Sequence, residues 1–446
     1  MFSRLILATA SVLILALSGI QPALPADDPP PACGYSPVTA QMLSYTSQAD
    51  WAGWVAQLSG ARPVILDGVS TTITTRYSYA LFNGQGNGRA YDYILSQARI
   101  WYPDNQIDEH EFTFDGQTWK NLIITLPGVE KPEEIILLTA HLDSTSPEAH
   151  RLAPGAEDNA SGSAALLEAA RLWRSFRFQR TVRLIWFTGE EQGLIGSKAY
   201  ARDHDLSDVQ AVINLDMFGY DADNDRCFEL HAGTSLASRP LMSCFEDAIQ
   251  AYQPDLKMDR ITTLNMRFSD HSVFWDEGIG AVLVLENHMY NGAKNGCKGL
   301  KDTNPEYHTV DDTFSTLNLP TGFAIAKASL AAAAGMAGPV EACFDQSPTL
   351  RVEQRSSTPK LSWTSPQGVE QVRLLRSQNG CGGPWELLAV TGIQTWTDLK
   401  ALPGHHYAYR LEAWEVSAGG ACASLPTDCV VISTSPALPT SSRQVE

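Results

Sequence analysis

Several chemistries are missing from this chain of 446 residues. It has no G-x-S-x-G stretch, so the nucleophile elbow of a serine hydrolase is absent. His110-Glu111 is not followed by a second histidine one helical turn on, which removes the helical zinc-protease motif. No C-x-x-C pair of the zinc or redox type occurs. No Gly-Lys-Ser/Thr follows the glycine-rich loop at residues 83–88 and no suitably spaced strand feeds it, so the loop reads as a turn and not as a phosphate cradle. Asp221-x-Asp223-x-Asp225 begins like a calcium loop. Arg226 stands where glycine is needed, however, and Ala232 where the closing glutamate belongs, so an EF-hand is excluded. Positive charge is also short: 32 Lys and Arg face 50 Asp and Glu, for a net charge of −18. Binding nucleic acid needs a basic face, and no nucleic-acid partner is expected.

What is present describes an exported globular protein. Hydrophobic residues make up 44% and charged residues 18% of the chain, enough for a large core, and the length implies two or three domains. Arg4 precedes an apolar run at residues 5–17, and Ala23-Leu24-Pro25-Ala26 then offers a small-residue cleavage site. Together they read as a secretory signal peptide over residues 1–26. The run is short for a membrane span and no second one follows, so no membrane span is expected. No cysteine marks a lipid anchor, and the expected location is secreted or periplasmic. Cys33, Cys227, Cys244, Cys297, Cys343, Cys381, Cys422 and Cys429 form an even set suited to disulfides in an exported chain. The last four are expected to pair among themselves.

Residues 27–69, Pro-rich at their start, read as an N-terminal leader or pro-segment, with Trp51 and Trp54 spaced to share one helix face. A helical pattern covers residues 90–101, and residues 110–114 and 120–126 read as paired strands. Three near-continuous aliphatic runs follow, at residues 135–140, 181–188 and 209–215, with helical patterns between them. Such runs are the mark of a mostly parallel sheet buried on both faces. A helix at 239–252, a strand at 279–285 and an Ala-rich helix at 321–337 complete an α/β domain over residues 70–340, a mixed sheet sandwiched by helices. Past Gly338 the pattern changes to short alternating runs separated by turn residues. That is a small all-β sandwich over residues 348–433, followed by a tail at 434–446.

Each aliphatic run ends in polar residues: His141-Leu142-Asp143-Ser144 after the first, Gly189-Glu190-Glu191 after the second and Asp216 after the third. In sheets of this kind ligands bind beyond the carboxyl ends of the strands. Asp158-Asn159 precedes a helical pattern, and His308 sits in the loop before the last helix. Taken singly, each has an ordinary reading. His141 would be a strand-end hydrogen-bonder, Asp158-Asn159 a helix cap, Glu190-Glu191 a solvated pair, Asp216 a turn residue and His308 a surface residue. Their coincidence at successive strand ends favours chemistry. Two histidines with three carboxylates suit zinc, and a shared carboxylate can hold two ions. So dense a set of acids repels itself unless a cation intervenes. Of the adjacent Glu190 and Glu191, one can ligate while the other takes a proton from water.

His141-Leu142-Asp143-Ser144, Glu157-Asp158-Asn159-Ala160-Ser161-Gly162, Thr188-Gly189-Glu190-Glu191-Gln192-Gly193-Leu194-Ile195-Gly196-Ser197, Asn214-Leu215-Asp216-Met217 and Tyr307-His308-Thr309 resemble, in order, the motifs of the M28 zinc aminopeptidases. The resemblance covers about residues 70–337 and implies a zinc exopeptidase-like fold. It implies two zinc ions per chain, one held by His141 and Asp216, the other by Glu191 and His308, with Asp158 bridging both. Glu190 is then the general base, and Asp143 orients His141. The peptide bond after Asp158 is often cis in that family, and Asn159 stands here where some members have Asp. Ser269-Asp270-His271 also looks like a recurring family segment and is given a structural reading. Leu402-Pro403-Gly404 before Tyr407 and Tyr409, with Trp363, resembles the corner of a fibronectin type III domain.

The implied function is a co-catalytic zinc aminopeptidase acting on peptide or protein N-termini through a metal-activated water, with a glutamate base. A glutaminyl cyclase or carboxypeptidase on the same fold, or a binding protein decayed from such an enzyme, are the rival readings. The Thr188-Gly189-Glu190-Glu191-Gln192-Gly193 motif and the complete ligand set favour the aminopeptidase. The sandwich supplies none of the motif residues, so zinc binding is not expected to depend on it.

Overall fold

The computed structural model describes residues 33–79, 87–262, 266–288, 297, 302–353, 358–378, 380–382, 385–417 and 420–435. The stretches read as a signal peptide and as a leader up to residue 32, most of the glycine-rich loop at 83–88 and the tail beyond residue 435 lie outside the described residues.

Eight strands build the central sheet: β1 (Ile107–Phe114), β2 (Gln117–Leu126), β3 (Lys131–His141), β4 (Arg180–Phe187), β5 (Val209–Leu215), β6 (Cys227–His231), β7 (Lys257–Ile261) and β8 (Ala281–Glu286). Their order is β7-β6-β8-β5-β3-β4-β2-β1. β3 runs parallel to both β4 and β5, and β8 parallel to β5. The hairpin β1–β2 and the pairs β2–β4 and β6–β8 are antiparallel. The sheet is therefore mixed, with a parallel centre. Alternate residues feed two cores, which explains the aliphatic runs. Ile136, Leu138 and Ala140 of β3 join the larger core with Leu184 and Trp186 of β4. Ile135, Leu137, Ile185 and Phe187 join the smaller one on the opposite face. A strand covered on both faces needs apolar side chains at almost every position.

Among the described residues, eight α-helices flank the sheet: α1 (Pro37–Ser44), α2 (Gln48–Leu58), α3 (Asn87–Trp101), α4 (Gly162–Trp173), α5 (Ile195–Asp203), α6 (Arg239–Tyr252), α7 (His271–Asp276) and α8 (Leu319–Ala337). The larger core draws on α1 to α4, α6 and α8, the smaller on Tyr200 of α5 and Phe274 of α7. The connection from β3 through α4 to β4 thus crosses one face, and that from β4 through α5 to β5 crosses the other. The chain leaves the neighbouring strands β3 and β5 in opposite directions, toward β4 and toward β6, and so opens a crevice at their carboxyl ends, where ligands of open α/β sheets bind. α8 is capped by Asn318, whose side chain accepts from the Thr321 N–H at 3.2 Å, and is stopped by Gly338 at φ 71°. It is apolar and long enough to cross a membrane, yet 72% of it is buried inside the protein. Its small residues allow close approach, Gly322 against the Trp51 ring and Gly335 against Cys33.

The stretch read as a leader is, from Cys33 onward, part of the larger core. Met42, Leu43, Trp51, Val55 and Leu58 are buried there, and Trp51 Nε1 donates to the Ser161 carbonyl at 3.1 Å. Strands β6 and β7 have no aliphatic run to announce them. They bury Glu229, His231 and Asp259 beside Phe228, Leu230 and Met258.

The C-terminal region is all-β, with two sheets over one core. Thr349–Val352, Lys360–Thr364 and Thr395–Thr397 form one sheet; Glu386–Thr391, Gln371–Ser377, His406–Ser417 and Gly420–Ala423 form the other, with Val430–Ser433 also paired to His406–Ser417. Trp363, Leu374, Tyr407, Tyr409 and Leu411 fill the core between them. The Tyr407 hydroxyl accepts from the Leu402 N–H at 2.9 Å, which fixes the corner. Disulfides join Cys33 to Cys244, Cys227 to Cys297, Cys343 to Cys422 and Cys381 to Cys429, so the last four cysteines do pair among themselves.

This region docks on the α/β part through a buried ion pair. Arg174, at the C-cap of α4, donates from Nη1 and Nη2 to the two oxygens of Glu412, each at 2.6 Å, and both side chains are fully buried. The Ala423 N–H adds a bond to the Arg174 carbonyl at 3.0 Å. Burial by itself raises the Glu412 pKa, but Arg174, ahead of Arg373 and Arg410, holds it down to about 2 from 4.5. A carboxyl depressed on folding stabilises the fold above its unfolded pKa and loses that contribution as pH falls through its folded one. Stability is therefore expected to fall between about pH 4.5 and pH 2, a loss that Glu412→Gln should blunt. At neutral pH, Glu412→Gln should cost about 3–5 kcal/mol, since it strands a buried guanidinium. Denaturant melts check both effects, and an unchanged midpoint for the variant would show that the pair carries no weight.

Candidate metal centre

The three central strands deliver their terminal residues to one place. His141 ends β3, Glu190 and Glu191 follow β4, and Asp216 follows β5. Asp158 comes from an irregular turn at Ala156–Ser161 between β3 and α4, where the Asp158–Asn159 peptide bond is cis. Capping of α4 falls to Asn159 and not to Asp158. The Asn159 side chain accepts from the Gly162 N–H at 2.9 Å and donates to the Leu215 carbonyl at 2.8 Å. A side chain at Gly155 would collide with the Asp158 carbonyl oxygen and with Ser144, so the turn needs glycine there. His308 arrives from the loop before α8, at φ 58°, with the Tyr307 ring stacked on it at 3.7 Å.

The two oxygens of Asp158 divide between two groups of donors. Oδ1 lies 3.1 Å from His141 Nε2, which is also 3.1 Å from Asp216 Oδ1. Oδ2 lies 3.2 Å from His308 Nε2, which is 3.0 Å from Glu191 Oε2. In each triad the ligand atoms lie within 4.8 Å of one another. Glu190 belongs to neither triad; it is nearly buried and lines the same cleft of about 440 Å³. Met217, Leu194, Lys198, Arg267, Phe268 and Tyr307 also line it.

Without a cation the electrostatics of this cluster are unfavourable. Burial, followed by the Asp158 charge, pushes Glu191 up to about 7. Burial also raises Glu190 well above the usual carboxylate range, with Asp216, Glu191 and Asp270 adding to the shift against His141. Asp158 is the exception, because hydrogen bonds from both histidines overcome its burial and hold it low. His308 shows the reverse balance: burial lowers it, but Asp158 and Glu191 raise it to about 10. Glu191 Oε1 is buried with no hydrogen-bond partner. Nitrogen and carboxylate donors facing inward, repelling acids and an orphaned ligand oxygen fit zinc.

The residues beneath the triads position them. Asp143 is wholly buried: its carbonyl lies 3.1 Å from His141 Nδ1, and its carboxylate accepts the backbone N–H groups of Glu190 and Glu191 at 3.2 and 3.3 Å. One side chain thus ties the end of β3 to the turn after β4. Asp312 accepts the backbone N–H groups of Glu157 and Asp158, each at 3.1 Å. Arg76, also fully buried, donates to the carbonyls of Leu142, Leu58, Pro154 and Gly155. It pins the loops before and after Asp143 and Asp158 while adding a cation behind them. Nothing in the spacing of Asp312 or Arg76 announces these roles. Ser269 and Asp270 tie elements under the site, with Asn214 Nδ2 donating to Ser269 Oγ at 2.7 Å and Ser197 Oγ donating to Asp270. Asp221, Asp223 and Asp225 also cluster, but Asp221 is occupied by the N–H groups of Asp225 and Arg226 and the Thr321 hydroxyl.

Residues 121–333 match Peptidase family M28. The chain is 31% identical over 222 residues to "Probable aminopeptidase YDR415C" of Saccharomyces cerevisiae, covering 46% of this chain and 54% of that protein. It is 29% identical over 214 residues to aminopeptidase YwaD of Bacillus subtilis, covering 46% and 42% respectively. The chain spans about half the length of these curated relatives. The crystal structure of the Legionella pneumophila LapA aminopeptidase shares the fold, with a TM-score of 0.53 at 21% identity over 68% of this chain and 73% of that one. The matched segment, residues 121–333, is similar to Peptidase family M28 and carries His141, Asp158, Glu190, Glu191, Asp216 and His308.

Proposed function

We propose that this protein is an exported aminopeptidase that works with two zinc ions. The observation that carries the reading is the division of the Asp158 carboxylate between two donor triads, with Glu190 beside them and outside both. One ion would be held by His141 and Asp216, the other by Glu191 and His308, with Asp158 between. Bound there, zinc would supply Lewis acidity that polarises the scissile carbonyl and makes water more acidic. The chain's own residues do the rest. Glu190 takes a proton from water on its carboxylate and returns it to the departing amine nitrogen of the second residue. Asp143 keeps His141 and the Glu190-Glu191 turn in register, as partners behind metal ligands do. The acids of the cleft attract the free ammonium of a peptide and fix the first carbonyl nearby. Met217, Phe268 and Tyr307 offer an apolar wall to its first side chain.

Four disulfides support export, since such bonds persist in oxidising compartments. We assign residues 33–340 to the catalytic domain and residues 348–433 to a fibronectin type III-like sandwich, on the strength of the packing of α1 and α2 and of the Tyr407 corner.

At saturation the purified protein should hold close to two zinc ions by elemental analysis, and a chelator should abolish turnover. Full activity without metal would sink the mechanism. Glu190→Gln is expected to lower turnover by at least about 10²-fold with zinc content unchanged, whereas Glu191→Gln should lower zinc affinity. The opposite pattern would exchange the two roles. Asp312→Ala, which removes the support under the Asp158 backbone, should weaken zinc binding by roughly 10–100-fold and lower apoprotein stability by about 1–3 kcal/mol, because it strands two buried N–H groups. An unblocked aminoacyl amide should be cleaved far faster than its N-acetylated twin. Equal rates, or cyclisation of Gln-peptides with release of ammonia and no free amino acid, would overturn the aminopeptidase reading.

A further inference from the structure

A second cavity, of about 430 Å³, lies where α2 and α3 meet the all-β region, and it shares no lining residue with the metal cleft. Trp54 and Trp101, packed edge to face at 5.9 Å, form one wall, and Trp385 stands on the all-β side. Asp50, Arg171 and Arg410 bring charge into it. An aromatic-walled hollow with a few placed charges has the make-up of a small-molecule site.

Arg410 is the informative member. It is only 9% exposed, and its guanidinium carbon sits 4.1 Å over the Trp385 ring. Its nearest anion is Glu412 Oε1, 3.9 Å from Nη2, beyond hydrogen-bonding reach. Both oxygens of Glu412 are already engaged at 2.6 Å by Arg174, and Arg373 leans on the same carboxylate at 3.8 Å. Arg171, by contrast, is satisfied by Glu168 and the Tyr45 carbonyl. The Arg410 side chain makes no hydrogen bond to the described residues, and its Nε is buried without a partner. Buried charges are normally paired and hydrogen-bonded. Here one carboxylate serves three guanidinium groups, inside a chain whose net charge is −18. Burial pushes the Arg410 pKa down to about 10, which leaves it charged at neutral pH.

We propose that this cavity binds a small carboxylate with an apolar or aromatic body, the carboxylate on Arg410 and the body between Trp385 and the Trp54–Trp101 pair. Asp50 lines the same cavity and offers a partner for an ammonium group. The ligand class matched at both ends is the free amino acid or short peptide. If the aminopeptidase reading holds, these are its own products, but the site stands without that reading.

Calorimetric titration with N-acetyl-L-phenylalanine tests the proposal on the full chain, because a blocked amine removes the group that the metal cleft is proposed to hold. Saturable binding is expected, and N-acetyl-L-phenylalanine amide, which lacks the carboxylate, should not bind. Arg410→Met should weaken binding at least about tenfold, the worth of a charged hydrogen bond, while Glu190→Gln leaves it unchanged. Trp385→Ala removes one wall at a position that is itself only partly buried and should also weaken it, which covers a failure of Arg410→Met to fold. No saturable binding, equal binding of the amide, or unchanged affinity in Trp385→Ala would each overturn the site. Titrating the chelated protein keeps this result separate from the peptidase question, since binding here should survive loss of metal and of turnover.

Discussion

The structure is arranged around a cost: several carboxylates are brought together, largely out of water, at the end of a sheet. Left to themselves, acids this close repel one another and lose solvation. Two buried or half-buried histidines, one fully buried arginine and a set of backbone N–H groups are the compensation the chain provides. Each histidine faces a different oxygen of Asp158. Arg76 stands behind, with every donor that it aims at a loop carbonyl also placing positive charge behind the acids. The remaining imbalance is what a cation at the triads would relieve.

The sheet makes this convergence possible. Because the connections through α4 and α5 cross opposite faces, β3 keeps a parallel neighbour on each side, and three strand ends meet at one crevice. Positioning does not rest on the strands alone. Asp143 accepts N–H groups from the turn after β4 while its own carbonyl faces the His141 ring, so a displacement of one is felt by the other. Asp312 does the same for Asp158 from the far side. Two carboxylates therefore hold backbone in place while their neighbours face the cleft.

Much of this was legible in the residues themselves. The aliphatic runs of β3, β4 and β5 showed because strands covered on both faces cannot alternate, and the helix at Arg239–Tyr252 showed by its period. The motif residues stood out by following those runs. Strands β6 and β7 did not, since their buried Glu229, His231 and Asp259 read as exposed positions until tertiary contacts satisfy them. Within the stretch read as a leader or pro-segment, the packing of Cys33 to Leu58 was not legible, because short helices with a weak pattern gain their burial from α4 and α8, far away in sequence. Arg76, Asp312, Arg174 and Glu412 carry no local signature. Their roles depend on partners tens or hundreds of residues away, and only the folded chain brings them together.

The bond between Cys33 and Cys244 has a consequence for the chain as an object of handling and turnover. Its sulfurs join the first described residue to α6, across 211 positions, so that span is a closed covalent ring. A protease that cuts any exposed loop within the ring opens it without separating the pieces, and the nicked chain keeps its mass until a reductant is added. In an oxidising milieu such a molecule would carry cleavage as a silent scar. Loss of the fragment would await a change of redox surroundings and not the cut itself.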